Sequence, residues 1–275
     1  MKIALCNEVI ADRSFAAQCD LAAKLGYDAL EIAPFTLAAE PHLMASGARR
    51  EFRQAVEAAG LSVSSLHWLL VVPEGLSITS ADDAVRARTF DVARRLIALA
   101  VDLGAGLLVH GSPAQRRVVE AGDAARGKAF FLEIAEAAAE AGVTYCIEPL
   151  AGRETNFINC VADAAAIVEE ADNPALRTMV DCAAASLDEK QPVDALLHQW
   201  LPTGLIAHVQ VNDQSRLGPG QGHDRFAGIV GALKAHDYSG VVAVEPFDYS
   251  PDGAGSAARA IGYLRGLEEG MSWSS

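Results

Sequence analysis

Eight short apolar runs punctuate the 275-residue chain, and each is followed by a longer segment rich in Ala, Leu and Glu. The runs occupy residues 2–7, 28–34, 61–67, 106–110, 143–149, 177–181, 205–211 and 240–246. They are near-continuously apolar rather than alternating, as strands buried on both faces are. The intervening segments carry helical periodicity. Several end in glycine just ahead of the next run (Gly26, Gly60, Gly104, Gly142), where a helix stops in the left-handed conformation. The helix between the sixth and seventh runs, PVDALLHQW, is the faintest of the set. Strict alternation of this kind requires parallel strands joined by crossover helices. Eight units of about 34 residues each predict a single (β/α)8 barrel. It would span 1–270, with a polar tail at 271–275. An open doubly wound sheet is the second choice. It would carry a glycine-rich first turn, whereas the first turn here reads NEVIADRS.

Charge and cysteine content narrow the setting. Lys and Arg number 22 against 36 Asp and Glu, a net charge of −14, which argues against nucleic acid and anionic membrane surfaces as partners. The opening MKIALCNEV turns polar too early for a signal peptide. No stretch approaches the ~18 uninterrupted apolar residues of a membrane span. Five cysteines without a CxxC pair predict neither a disulfide framework nor a structural zinc site, and point to a reducing cytoplasm.

In such a barrel the active site is built at the C-terminal ends of the strands. The predicted strands end on Glu31, His67, His110, Glu148, Asp181, Gln210 and Glu245. The steps from Glu148 to Asp181, Gln210 and Glu245 are 33, 29 and 35 residues, so the four keep phase with the repeat. A single carboxylate at a strand end can be explained by an ion pair with a loop. Three converging on one small volume would repel one another severely without a cation. Three carboxylates and an amide oxygen make a hard, oxygen-rich set suited to Mg²⁺ or Mn²⁺. His67 and His110 either reach a ligand or are satisfied histidines of the barrel mouth. Glu31 can equally pair with an arginine. Trp68, Phe35 and Phe247 follow strand ends and either wall a ligand site or pack loops onto helices.

The segments YDALEIAPF (27–35), LHWLL (66–70), IEPLAGRETNF (147–157), MVD (179–181), HVQVNDQSRLGPGQG (208–222) and GVVAVEPF (240–247), in that order, resemble the xylose-isomerase-like TIM barrels. That sugar isomerase/epimerase superfamily also holds inosose dehydratases, hydroxypyruvate isomerases and apurinic-site endonucleases. The resemblance covers essentially the whole chain. It implies that Glu148, Asp181, Gln210 and Glu245 ligate one divalent ion, Mn²⁺ or Mg²⁺, with Co²⁺ or Zn²⁺ as alternatives. It implies substrate contacts from Glu154 and Arg216, beside His67, His110 and Trp68. Where ketose 3-epimerases place a strand-seven His, this chain has Gln210, as hydroxypyruvate-isomerase-like members do. Three residues after Asp181, where epimerases carry a substrate-contacting His, it has Ala184. Ala184, Gln210 and the acidic charge leave the three-zinc cluster of the endonuclease branch incomplete. Homodimers and homotetramers are common among such proteins.

The resemblance therefore implies an isomerase or epimerase acting on a keto-sugar or hydroxy-keto acid through an enediolate. Glu148 and Glu245 would move the proton, and the metal would act as Lewis acid. A lyase or dehydratase on a keto-sugar, inosose or keto-glycoside would use the same site. A non-catalytic sugar-binding barrel is the third reading.

Overall fold

The computed structural model describes residues 1–272. Eight parallel strands close into one barrel: β1 (Lys2–Cys6), β2 (Ala29–Ile32), β3 (Ser62–Leu66), β4 (Leu107–His110), β5 (Thr144–Ile147), β6 (Leu176–Asp181), β7 (Ile206–Val211) and β8 (Val241–Val244). Every strand pairs with its sequence neighbours, and β1 closes the circle on β8 through Lys2↔Val241 to Leu5↔Val244. Each predicted run coincides with one strand, β6 starting one residue ahead of its run. The outer helices are α1 (Phe15–Leu25), α2 (Ser46–Ala58), α3 (Asp83–Leu103), α4 (Asp123–Ala141), α5 (Val161–Ala171), α6 (Cys182–Asp188), α7 (Val193–Trp200), α8 (Phe226–Ala235) and α9 (Gly253–Ser272). Gly26 and Gly104 end α1 and α3 at φ of +91° and +80°, a region costly for any residue with a Cβ.

Two details differ from the sequence reading. The segment between β6 and β7 forms two helices: α6 starts directly after β6, and Pro192 separates it from α7. The tail expected at 271–275 begins inside α9, which runs to Ser272; residues 273–275 lie outside the described residues. All five cysteines are free. Among the described residues no helix is long and apolar enough to cross a membrane.

Period-two alternation decides what each strand end presents. Val109, Cys146 and Met179 form a small cluster of their own inside the barrel. Two residues further along β5 and β6, on the same inner face, stand Glu148 and Asp181. Just past the end of β4 the corresponding inner position is Gly111, and His110 points the other way.

Candidate active site at the barrel mouth

A cleft opens at the C-terminal ends of the strands. Its walls include Glu148, Asp181 and Glu245, with Glu154, Arg153 and Arg216 from the loops. Trp68, Phe247 and Ala184 complete much of the lining. Of the nine residues assigned metal, catalytic or substrate roles from the sequence, six share one cavity: Glu148, Glu154, Asp181, Arg216, Glu245 and Trp68.

Gln210 and His67 lie behind this wall, both buried. Gln210 donates from Nε2 to Glu31 Oε1 (2.9 Å), and His208 donates from Nε2 to Glu31 Oε2 (2.7 Å). Glu31 therefore pairs with an imidazole and an amide rather than an arginine. Burial alone would raise its pKa, but His208 and His67 hold it down at about 2. An ionised Glu31 accepts only, which turns the Gln210 amide N–H toward it and its oxygen away. That oxygen is buried with no hydrogen-bond partner among the described residues, and so is Glu245 Oε2.

Asp181 accepts hydrogen bonds from Ala184 N (2.7 Å) and Asn212 Nδ2 (2.7 Å). Asn212, two residues beyond Gln210, also accepts from Ala183 N (2.9 Å) and donates to the Glu245 carbonyl (3.2 Å). It ties the ends of β6, β7 and β8 together. Asn212→Ala would leave Asp181 and the Ala183 N–H short of partners in a buried place. The expected loss is about 2–4 kcal/mol of unfolding free energy, read by urea denaturation.

Glu245 Oε1 receives His67 Nδ1 (3.0 Å) and Trp68 Nε1 (3.1 Å). His67 Nε2 contacts Glu8 Oε2 (3.1 Å). Trp68 (φ +53°) and Arg216 (φ +75°) both hold left-handed backbone, at a cost of about 1–3 kcal/mol each. The Arg216 carbonyl is secured by N–H groups of Phe247 and Asp248, both at 2.9 Å, and its guanidinium carbon lies 4.9 Å from the centre of the Phe247 ring. The Phe247 and Trp68 rings meet edge-on at 6.3 Å.

His110 is not part of the cleft, which corrects the expectation that it contacts substrate. It is fully buried on the outer face of β4, where Nδ1 meets the Tyr145 hydroxyl at 2.8 Å and the ring packs on Phe130 and Phe131 of α4. Its position at the strand end suggested the mouth; its phase sends it to the helix layer. The loop 218–223 does not line the cleft either. Gln221 holds it to Ser250 and Ser256.

Electrostatics match the crowding of acids. Burial, then Glu245 and Asp181, push Glu148 well above the usual carboxylate range. Burial lifts Asp181 to about 6 against its two hydrogen bonds, and lifts Glu245 to about 8 against His67. Burial opposes a charge on His67, but Glu8 and Glu31 raise its pKa well above the ordinary value. The native metal-free protein therefore keeps protons that the unfolded chain releases near pH 4 from acids and near pH 6.5 from His67. Its stability falls as pH rises from about 4 to about 8. Glu31 works in the opposite sense, losing its contribution as pH drops from about 4.5 toward 2. A thermal melt of chelator-treated protein should show a falling Tm between pH 5 and 8, and Mn²⁺ should abolish most of that fall.

The donor set fits a hard divalent cation. Three carboxylates crowd one cavity, and two buried oxygens, on Gln210 and Glu245, have no hydrogen-bond partner among the described residues. Sequence reasoning missed Glu8 and Asn212 as partners within the site, and did not anticipate Arg153. Only Asn212 had a local signal, its same-face spacing from Gln210.

In enzymes built on a closed (β/α)8 barrel the active site lies at this C-terminal mouth. The family model of the xylose isomerase-like TIM barrel matches residues 19–267, and the chain belongs to that family. An L-ribulose 3-epimerase from Mesorhizobium japonicum is 30% identical over 180 residues, 64% of this chain and 60% of that enzyme's length. A D-psicose 3-epimerase from Ruminiclostridium cellulolyticum is 27% identical over 229 residues, 82% of this chain and 75% of the relative. A solved L-ribulose 3-epimerase structure shares the fold, with a TM-score of 0.83 at 23% identity over 99% of this chain and 97% of that one.

Proposed function

We propose that the protein is a divalent-metal-dependent epimerase or isomerase of keto-sugars. The observation that carries this is the convergence of Glu148, Asp181 and Glu245 on one cleft, backed by the unpartnered oxygens of Gln210 and Glu245. The names of its relatives, L-ribulose 3-epimerase and D-psicose 3-epimerase, support the reaction class. Glu148, Asp181, Gln210 and Glu245 would hold the ion. When bound, it would supply a Lewis acid for the substrate carbonyl.

The remaining work falls to the chain's own side chains. Glu148 and Glu245 flank the cleft, one placed to take the proton α to the carbonyl and the other to deliver it to the opposite face. In the metal-free protein burial and the neighbouring acids raise both carboxyls above the usual range. Trp68 holds Glu245 by one oxygen, limiting the directions in which it can act. Glu154 and Arg216 stand at the rim to bind hydroxyls, and the Trp68–Phe247 wall packs on a sugar face.

Ala184 at the cleft wall favours a second reading. With a methyl group where epimerases of the family place an imidazole, the pocket has room for a bulkier keto-sugar or keto-glycoside. Expulsion of a β-substituent from the same enediolate would make the protein a lyase. Incubation with Mn²⁺ in deuterated water across ketoses, inososes and 3-keto-glycosides tests both. Deuterium at the carbon next to the carbonyl, with an epimer or an elimination product, is expected. No exchange on any substrate would overturn both.

A further inference from the structure

Beside the acids of the cleft lies a second group of ligand-type side chains with a different chemistry. Cys6 ends β1, Glu8 follows it, His67 follows β3 and Glu245 follows β8. One ligand atom from each of the four lies within 4.8 Å of all the others, and all but Glu8 are buried. Only Glu245 belongs to the oxygen-rich set described above.

We propose that Cys6, Glu8, His67 and Glu245 form a second divalent-cation site, of zinc or cobalt type, adjoining the hard site and sharing Glu245 with it. The proposal rests on the reading that Glu148, Asp181, Gln210 and Glu245 hold the first ion. A thiolate and an imidazole beside two carboxylates select Zn²⁺ or Co²⁺ over Mg²⁺.

The geometry of His67 supplies the main argument. Its two ring nitrogens sit 3.0 Å from Glu245 Oε1 and 3.1 Å from Glu8 Oε2. Acidic oxygens thus face both ring nitrogens, and the imidazole sits directly between two of the other three ligand groups. A divalent ion among these four groups would take the Cys6 sulfur as thiolate and one His67 nitrogen as ligands, with the two acids beside them. The nitrogen that does not ligate keeps its hydrogen bond to a carboxylate, the usual support of a metal-bound histidine. The second, independent observation is Glu245 itself, whose Oε2 is buried without a partner while Oε1 is already held by His67 and Trp68. With Oε1 set beside His67, Oε2 is left open to an ion.

The test is a Co²⁺ titration of the full chain, freed of metal by chelation, followed by absorption and by proton release in weak buffer. Wild type should take up two ions per chain. One of them should show an intense near-ultraviolet sulfur-to-cobalt charge-transfer band, with proton release as the Cys6 thiol ionises. Cys6→Ser should lose the band and keep one ion. Glu148→Gln should weaken the first site and keep the band. Glu8→Gln, which leaves the strand end intact, should weaken the banded ion at least tenfold. One ion bound without a sulfur band would overturn this proposal and leave the hard site standing. No ion bound at all would overturn both.

Discussion

Glu148→Gln and Glu245→Gln should each lower turnover by roughly 10³–10⁴-fold, with native secondary structure retained. Both side chains are buried against the cleft. An amide there cannot accept the α-proton, and it offers a weaker ligand than a carboxylate. Stability should move the other way. In the metal-free state burial and like charges disfavour both carboxylates, so each substitution removes a source of repulsion. The variants should therefore melt higher than metal-free wild type at pH 8, where the wild-type acids are most strained. At pH 5 the difference should shrink. A rise in Tm coupled to a loss of turnover separates a catalytic role from a structural one.

Gly111→Ala should be the most damaging single-methyl change in the cleft. Gly111 directly follows β4, and a Cβ there would overlap the Glu148 carboxylate, Oε2 first. The carboxylate has to move, and a displacement of about 1 Å at a reacting group costs roughly 10²-fold in rate. Mn²⁺ affinity should weaken with it. Gly106→Ala, before the same strand, meets no atom within 4 Å of its Cβ and should leave both unchanged. Equal behaviour of the two variants would show that Glu148 is not held where the cleft places it.

The barrel was legible because its strands are buried on both faces. Continuous apolar runs such as GVVAVEP end abruptly on a carboxylate, and the phase of those endings survives in plain sequence spacing. The short helix α6 was not legible, since seven residues carry less than two full turns of pattern. His110 shows the limit of reading strand ends by chemistry alone. A polar residue closing a strand faces the mouth or the helices according to a one-residue phase, and here Val109 takes the inner position. The Glu31–His208–Gln210 group and the His67–Glu245 pair join residues 177–179 positions apart. No local pattern reports such a pairing; it exists only once the barrel closes.

Metal content is the direct test of the central claim. Wild-type protein, reconstituted with Mn²⁺ and dialysed, should retain about one Mn²⁺ per chain at the hard set. A Glu148→Ala/Glu245→Ala double variant that keeps its circular dichroism spectrum should retain none. An Mn²⁺-free wild type after reconstitution, or a double variant that binds as well as wild type, would contradict the account.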